Sequence, residues 1–235
     1  MTEPAKSFDR AALEYERGRP GWPDGVLDVV PVATHATVLD LGAGTGKLTE
    51  VLARRYARVI AVEPLRELRA ILARRVPSAD VRDGRAEHIP LADAEVDAVF
   101  AGQAFHWFAN DLAVAEIARV LRPGGVLALL WNHDVPPSPL PESYRRRLDE
   151  LRAATPAPKV DEQLLEHAPF GVEHDESVEH EQVSGRDDVL AFAASVSWIA
   201  SRDDRDAVLD ELAAMLPEDE YRFTLRSEVT WMIRS

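Results

Sequence analysis

A chain of 235 residues with 46% hydrophobic side chains is long enough for one well-buried α/β domain with a modest insertion, and too short for two full domains. Its net charge of −14 argues against DNA and RNA as partners, because nucleic-acid binding needs clustered Lys and Arg. The absence of cysteine excludes disulfides, thiolate metal sites and a cysteine nucleophile. No apolar stretch approaches the roughly 18 residues of a membrane helix, and residues 1–8 show no secretory signal, so we expect a cytoplasmic protein that does not span a membrane.

The N-terminal part begins with a short amphipathic stretch, residues 8–15. Residues 16–23 contain prolines and glycines that force a bend. Asp24 is a suitable cap for a helix from Gly25 to Val30. This helix would lead into the first strand.

The stretch from residue 37 to residue 49 organises the rest of the chain. Residues 37–41 form a short apolar run bounded by turn residues, which is typical of a strand buried on both faces of a parallel sheet. Gly42, Gly44 and Gly46 let the backbone turn sharply and approach a ligand. Helical spacing then resumes at Leu48, Val51, Leu52 and Tyr56. The stretch therefore predicts a strand, a ligand-binding loop and a helix.

The glycine spacing separates two possible cofactors. A dinucleotide fingerprint needs Gly-x-Gly-x-x-Gly, whereas here the third glycine comes one residue early, at Gly46, and Lys47 holds the diagnostic position. A second strand, residues 59–62, is followed by Glu63, and an acid at this place can accept both hydroxyls of a ribose. Because an acid at this place fits either cofactor, it does not distinguish them. Only the glycine spacing of the loop argues against a dinucleotide.

Strands and helices continue to alternate through residue 131. Pro64 is a favoured first residue for a second helix, with an apolar face of Leu65, Leu68, Ile71 and Leu72. A weak strand covers residues 79–82, a stronger strand covers residues 96–101, and a helix carrying Leu112, Ile117, Val120 and Leu121 is stopped by a turn at residues 122–125. Residues 126–131 form the fifth buried strand. This alternation predicts a parallel sheet with helices on both faces.

The character of the chain changes after Trp131. Four prolines within residues 132–141 predict a linker. A charged helix over residues 143–154, an exposed edge strand over 172–183, helices over 187–200 and 203–216, and a closing antiparallel strand over 221–232 follow. His174 and His180, with Asp175 and Glu179, match no metal-site spacing, and we interpret them as solvated strand residues.

Residues 102–108 lie just beyond the carboxyl end of the fourth predicted strand, where parallel sheets form their ligand crevice. The segment holds three aromatic side chains and His106, the one polar group there able to accept a proton near neutral pH. We expect two of the three aromatics to be core and His106 to have a role in the site.

Five segments resemble, in the correct order, motifs of the class I S-adenosylmethionine-dependent methyltransferases. The resemblance covers roughly the first half of the chain and is closest to small-molecule enzymes similar to trans-aconitate and other carboxylate methyltransferases. The matching segments are residues 39–46, 62–64, 86–91, 103–108 and 121–125.

The resemblance implies an α/β fold with a Rossmann-like seven-stranded, mostly parallel sheet, helices on both faces and a helical cap. Within a single methyltransferase domain, residues 1–30 would cover the cofactor, residues 31–134 would form the cofactor-binding core, and residues 135–235 would supply cap elements and the closing strands.

The resemblance also assigns the site residues, with S-adenosyl-L-methionine as the cofactor, a small-molecule methyl acceptor as the partner and no metal. Asp40 and backbone groups around Gly42 would hold the methionine portion and Glu63 the ribose, and His106 would be the catalytic base. The implied cofactor-binding residues are Asp40, Gly42, Ala43, Gly44, Glu63, Pro64, Arg85, Ala86 and Gln103. The implied substrate-binding residues are Tyr15, Arg19, Phe105, Trp107 and Trp131.

One position departs from the family pattern. Related enzymes often contact adenine through an acid one residue after the glycine of this loop, and here Arg85 follows Gly84. Asp83, Glu87 or backbone groups would have to replace that contact, and we expect backbone groups around Arg85 and Ala86. The departure leaves a non-catalytic S-adenosylmethionine-binding protein as an alternative, with a nicotinamide-dependent oxidoreductase as a weaker one. The acceptor atom and the oligomeric state stay open.

Overall fold

A computed structural model describes residues 14, 16–153 and 169–235 of the protein. The strands are hydrogen-bonded in the order β3-β2-β1-β4-β5-β7-β6, which confirms the predicted seven-stranded sheet. Strands run over β1 Thr37–Leu41, β2 Arg58–Val62, β3 Asp80–Arg82, β4 Val96–Gly102, β5 Leu121–Asp134, β6 His174–Gly185 and β7 Glu220–Ile233. Helices run over α1 Lys47–Arg55, α2 Arg66–Arg75, α3 Asp111–Val120, α4 Glu142–Ala153, α5 Arg186–Ser195, α6 Ser197–Ala200 and α7 Arg205–Ala214.

The first five strands run parallel to one another: β1 lies between β2 and β4, with β3 and β5 outside them. The closing strand β7 runs against β5, because Gly124 pairs with Arg234 while Val135 pairs with Thr224. Parallel strands direct their carboxyl ends to the same edge of the sheet. The loops after β1, β2 and β4 therefore meet there.

Helices cover both faces of the sheet, as predicted. Alternate residues of the parallel strands enter two separate apolar clusters, because successive side chains of a strand point to opposite faces. Leu39, Val99 and Leu127 pack with Ile117 of α3. Their sequence neighbours Val38, Ala98 and Ala128 enter the other cluster, which also contains Leu52 of α1.

The described chain divides into two compact units. The larger unit contains residues 21–133, 169–178 and 226–235, and the smaller unit contains residues 14, 16–20, 134–153 and 179–225. Strands β6 and β7 each contribute to both units. The helices of the smaller unit have their own apolar cluster, centred on Tyr144, Ile199 and Leu212. The segment 135–235, predicted to be cap and closing strands, thus returns to the larger unit twice.

Several predicted helices differ from the structure at their ends. Asp24 opens only a short 3-10 turn, Asp24–Leu27, whose cap residue is Pro23. Helix α2 begins at Arg66 rather than Pro64, because Leu65 is still extended and is exposed. The helix predicted over 187–200 is broken at Val196, whose backbone is extended.

Strand β5 is longer than predicted at both ends. The turn expected at residues 122–125 belongs to the strand, since Gly124 and Gly125 exchange backbone hydrogen bonds with Arg234 of β7. The strand also continues through residues 132–134, which were predicted to be linker. Pairing with β7 therefore extends a segment whose own sequence favours a turn. Leu112, one of the apolar residues at helical spacing, is exposed at the start of α3.

Candidate active site

The glycine loop links β1 to α1 with a backbone that only glycine adopts readily. Gly42, Gly44 and Gly46 have φ values of +70°, +56° and +88°, in the left-handed region. A Cβ added at Gly42 would lie 2.9 Å from the Cβ of Ala104, so the loop packs closely on the segment after β4. Gly46 caps α1 without a side-chain acceptor. The loop thus presents backbone where a side chain would block approach.

Glu63 follows the last residue of β2 and is buried beneath this loop. One carboxylate oxygen accepts a hydrogen bond from the amide of Gly44 at 2.9 Å, and the other accepts from the amide of Leu65 at 2.9 Å. Burial raises the pKa of Glu63, while the two amide bonds and Arg69 oppose that rise. A carboxylate has about four acceptor positions, so two remain for ribose hydroxyls. The carbonyl of Pro64, the next residue, accepts from Arg69.

Asp40 lies within β1, one residue before its end, and is buried. The hydroxyl of Thr49, in the first turn of α1, donates to its carboxylate at 2.6 Å. Burial raises the pKa of Asp40 to about 7, the Thr49 bond opposes the rise, and the charge of Glu63 adds to it. Asp40 therefore ties β1 to the helix that follows the glycine loop. Contact with the methionine portion of a cofactor stays a prediction.

The predicted adenine partners in the loop after β3 already accept hydrogen bonds from other residues of the protein. Asp83 accepts from Arg69 at 3.0 Å, and Glu87 accepts from Asn110 at 3.0 Å. The carbonyl of Arg85 accepts from the amide of His88, and Ala86 is buried in the core. Each acid keeps further acceptor positions beside this bond, so the use of backbone groups around Arg85 and Ala86 stays a prediction.

The aromatic residues of the segment after β4 differ in exposure. Phe105 is only 5% exposed, and its ring meets Phe108 edge to face at 5.7 Å; Phe108 packs against the same cluster. Trp107 is 65% exposed. Two of the three aromatics are thus core, and contact of Phe105 with substrate stays a prediction.

His106 lies between two tryptophan rings. Its ring centroid is 4.8 Å from that of Trp107 and 5.4 Å from that of Trp131 of β5, and both pairs are tilted. Trp131 is partly buried. The structure therefore brings together three of the predicted site residues at the carboxyl ends of β4 and β5.

Gln103 begins this segment with an unusual backbone. Its φ of +54° lies in the left-handed region, which costs a non-glycine residue about 1–2 kcal/mol. Two hydrogen bonds to β5 hold it there: its amide donates to the carbonyl of Leu130 at 2.8 Å, and its side-chain nitrogen donates to the carbonyl of Asn132 at 2.9 Å. The turn that carries His106 is therefore fixed at its first residue.

Arg19 belongs to the smaller unit, where its guanidinium carbon lies 5.3 Å from the centre of the Phe192 ring. Tyr15 lies outside the described residues. Thr49 and Asn132 contact the predicted site residues Asp40 and Gln103, and the sequence argument missed both. The available signal was position alone, since Thr49 lies in the first turn after the glycine loop and Asn132 directly follows the strand predicted over residues 126–131.

The histidines of β6 do not form a metal site with their neighbours. His174 stacks on Trp231 at 4.0 Å, and Asp175 accepts from Thr230. His180 was interpreted as solvated, but it is partly buried, and burial lowers its pKa. Over residues 14, 16–153 and 169–235 no group of three or more His, Asp or Glu is arranged to hold a metal ion. In the same part of the chain, no helix has the length and apolarity that crossing a membrane requires.

Comparison with known proteins agrees with the fold and the loop geometry. Residues 39–129 match the family model described as methyltransferase domain, which confirms the predicted resemblance over this region. An uncharacterized methyltransferase of Mycobacterium tuberculosis is 49% identical over 126 residues, 54% of this chain and 52% of that protein. The chain thus spans about half the length of such curated relatives.

Two further similarities extend over more of the chain. Trans-aconitate 2-methyltransferase of Azoarcus is 32% identical over 159 residues, 64% of this chain and 62% of that enzyme. The structure of a putative type II methyltransferase from Anaeromyxobacter dehalogenans has a TM-score of 0.63 at 24% identity and covers 92% of this chain and 97% of that one. The latter establishes a shared fold.

Proposed function

We propose that the protein is an S-adenosylmethionine-dependent methyltransferase that transfers a methyl group to an oxygen, or another nucleophile, of a small molecule. The observation that carries the proposal is the junction of the glycine loop with Glu63, in a region that matches the methyltransferase-domain family. The net charge of −14 supports a small acceptor over a nucleic acid.

The residues around the glycine loop fit the cofactor. Gly42 lets the loop pack directly on Ala104, and Glu63 keeps acceptor positions for both ribose hydroxyls. Gly44 and Ala43 offer backbone near the methionine portion, and Asp40 beneath the loop supplies negative charge when it is ionised. A cofactor carrying a sulfonium and an ammonium group favours that ionised form.

When it is bound, the cofactor supplies a methyl group already activated by the positive charge on its sulfur. The protein then has to align the acceptor with the sulfur–carbon bond and exclude water. The rings of Trp107 and Trp131 flank His106 and provide flat apolar surface for an acceptor. The turn fixed by Gln103 holds His106 and Trp107 in place.

His106 is the proposed base. A carboxylate acceptor is nucleophilic as it stands, whereas a hydroxyl must lose its proton, and the imidazole of His106 can take it. Replacing His106 with asparagine keeps a polar group and removes the base. With a hydroxyl acceptor we expect turnover to fall roughly 100-fold or more, while cofactor affinity changes little. With a carboxylate acceptor the loss is smaller and appears mainly in KM.

The test has two stages. Calorimetric titration measures binding of S-adenosylhomocysteine, with NADH as the control ligand, and transfer of labelled methyl from S-adenosylmethionine is then measured against sets of hydroxyl and carboxylate acceptors. His35→Asn, at an exposed histidine before β1, is the matched control for His106→Asn. Binding without turnover on any acceptor supports the non-catalytic alternative, and binding of NADH alone refutes the proposal. Parental turnover and KM in His106→Asn make His106 a packing residue.

A further inference from the structure

A chain of hydrogen bonds centred on Asn132 joins three segments of the larger unit. The hydroxyl of Ser227 in β7 donates to the side-chain oxygen of Asn132 at 2.5 Å. The side-chain nitrogen of Asn132 donates to the carbonyl of Gly21 at 3.0 Å. Its backbone carbonyl accepts from Gln103. Asn132 thus uses both ends of its amide and its backbone at the carboxyl end of β5.

Ser227 fixes the orientation of that amide. Its side chain is fully buried, where a hydroxyl without a hydrogen-bond partner is destabilising. Because the hydroxyl donates to the oxygen of Asn132, the nitrogen of the amide is directed to Gly21. The reverse orientation would bring two carbonyl oxygens together at Gly21.

The bond to Gly21 places Trp22 against the last residue of β4. A Cβ built on Gly102 would lie 3.0 Å from the Trp22 ring and 2.9 Å from Leu48 of α1. Trp22 therefore occupies the space that a side chain at residue 102 would fill. Gly102 directly precedes Gln103, where the turn carrying His106 begins.

We infer that Asn132 is a positioning residue: its amide, aligned by Ser227, holds Gly21 and Trp22 against Gly102 and thereby sets the turn that carries His106. The significance for catalysis rests on the proposed function of His106. The latch itself, formed by Gly21, Trp22, Asn132 and Ser227, is a property of the protein without ligand. The two can therefore be tested separately.

Hydrogen exchange followed by mass spectrometry tests the latch in the full-length protein without ligand. In Asn132→Ala we expect peptides covering residues 19–26 and 101–108 to exchange about five- to thirtyfold faster, which corresponds to loss of one or two ordinary hydrogen bonds. Ser227→Ala should accelerate the same peptides by a smaller factor, since the amide is then free to turn. Peptides of β1 and β2 should keep the parental rate.

The neighbouring pair His133 and Glu228 provides matched controls. These residues are next to Asn132 and Ser227 in sequence, are about half exposed, and lie 3.2 Å apart. His133→Ala and Glu228→Ala should leave both peptides unchanged. Equal acceleration in these controls, or parental exchange in a folded Asn132→Ala, overturns the inference, as does acceleration of only one of the two peptides. If Asn132→Ala does not fold, Ser227→Ala decides by the same criteria.

A second measurement adds S-adenosylhomocysteine. In the parent the ligand should slow exchange in both residues 42–48 and residues 101–108, and in Asn132→Ala the protection of residues 101–108 should be reduced while that of residues 42–48 persists. General loss of stability would affect both peptides alike, and that result counts against a positioning role. Absence of any protection in the parent refutes the proposed function and leaves the unliganded exchange as the test of the latch.

Discussion

Replacing Asp40 with asparagine should make the protein relatively more stable at high pH than at low pH. The carboxyl group is buried beneath the glycine loop, where Thr49 is its hydrogen-bond donor. Burial penalises its charged form and raises its pKa from 3.8 to about 7. The folded state therefore holds this proton more tightly than the unfolded state, and the parent loses stability as pH rises from about 4 to about 7.

The size of the effect follows from that pKa. Each pH unit between the two values corresponds to about 1.4 kcal/mol, so the interval from pH 5.5 to 7 amounts to about 2 kcal/mol, and nothing further is lost above it. Asparagine has no such titration. The stability difference between Asp40→Asn and the parent should thus shift by up to about 2 kcal/mol in favour of the variant between pH 5.5 and pH 8.5. An unpaired amide hydrogen in Asp40→Asn lowers its stability equally at both pH values.

Urea unfolding followed by tryptophan fluorescence measures this difference at pH 5.5 and pH 8.5. Asp111→Asn, at an exposed aspartate in the first turn of α3, is the control, and its difference from the parent should be the same at both pH values. A difference for Asp40→Asn that does not change with pH, or that favours the variant at pH 5.5, would refute the reasoning from burial.

Three other substitutions test the site and the smaller unit. Gly42→Ala should destabilise the protein by about 1–3 kcal/mol in urea unfolding, because the added Cβ would overpack against Ala104. Gly124→Ala, with a similar φ but open space around it, should lose less stability, and equal losses in both variants contradict the steric argument. Glu63→Ala should weaken S-adenosylhomocysteine binding by about 1–3 kcal/mol, and unchanged affinity in calorimetry would place the ribose elsewhere. Tyr144→Phe should stabilise the protein by about 1 kcal/mol in thermal unfolding, because its buried hydroxyl has no hydrogen-bond partner among the described residues. Tyr221→Phe, which loses a hydrogen bond from the amide of Glu218, should destabilise the protein. A Tyr144→Phe variant less stable than Tyr221→Phe would contradict this argument.

Features that depend on local sequence were predictable. Strand positions followed from apolar runs, and Gly42, Gly44 and Gly46 indicated a tight loop because few other residues adopt a positive φ. Glu63 was identifiable as a candidate site residue from its place directly after a strand, since parallel strands bring their carboxyl ends to one edge. These inferences use only the conformational preferences of neighbouring residues.

The burial of individual side chains was decided by tertiary packing. Phe105 and Trp107 are both large aromatics two residues apart, yet one is core and the other 65% exposed, because the direction of the turn at Gln103 is set by hydrogen bonds to β5. The raised pKa of Asp40 requires the burial supplied by the surrounding sheet and α1. Strand β5 extends through a glycine pair because β7 supplies hydrogen-bond partners more than 100 residues away in sequence. The sequence by itself therefore determined the order of elements and the glycine loop, whereas contacts between distant segments decided which side chains meet at the site.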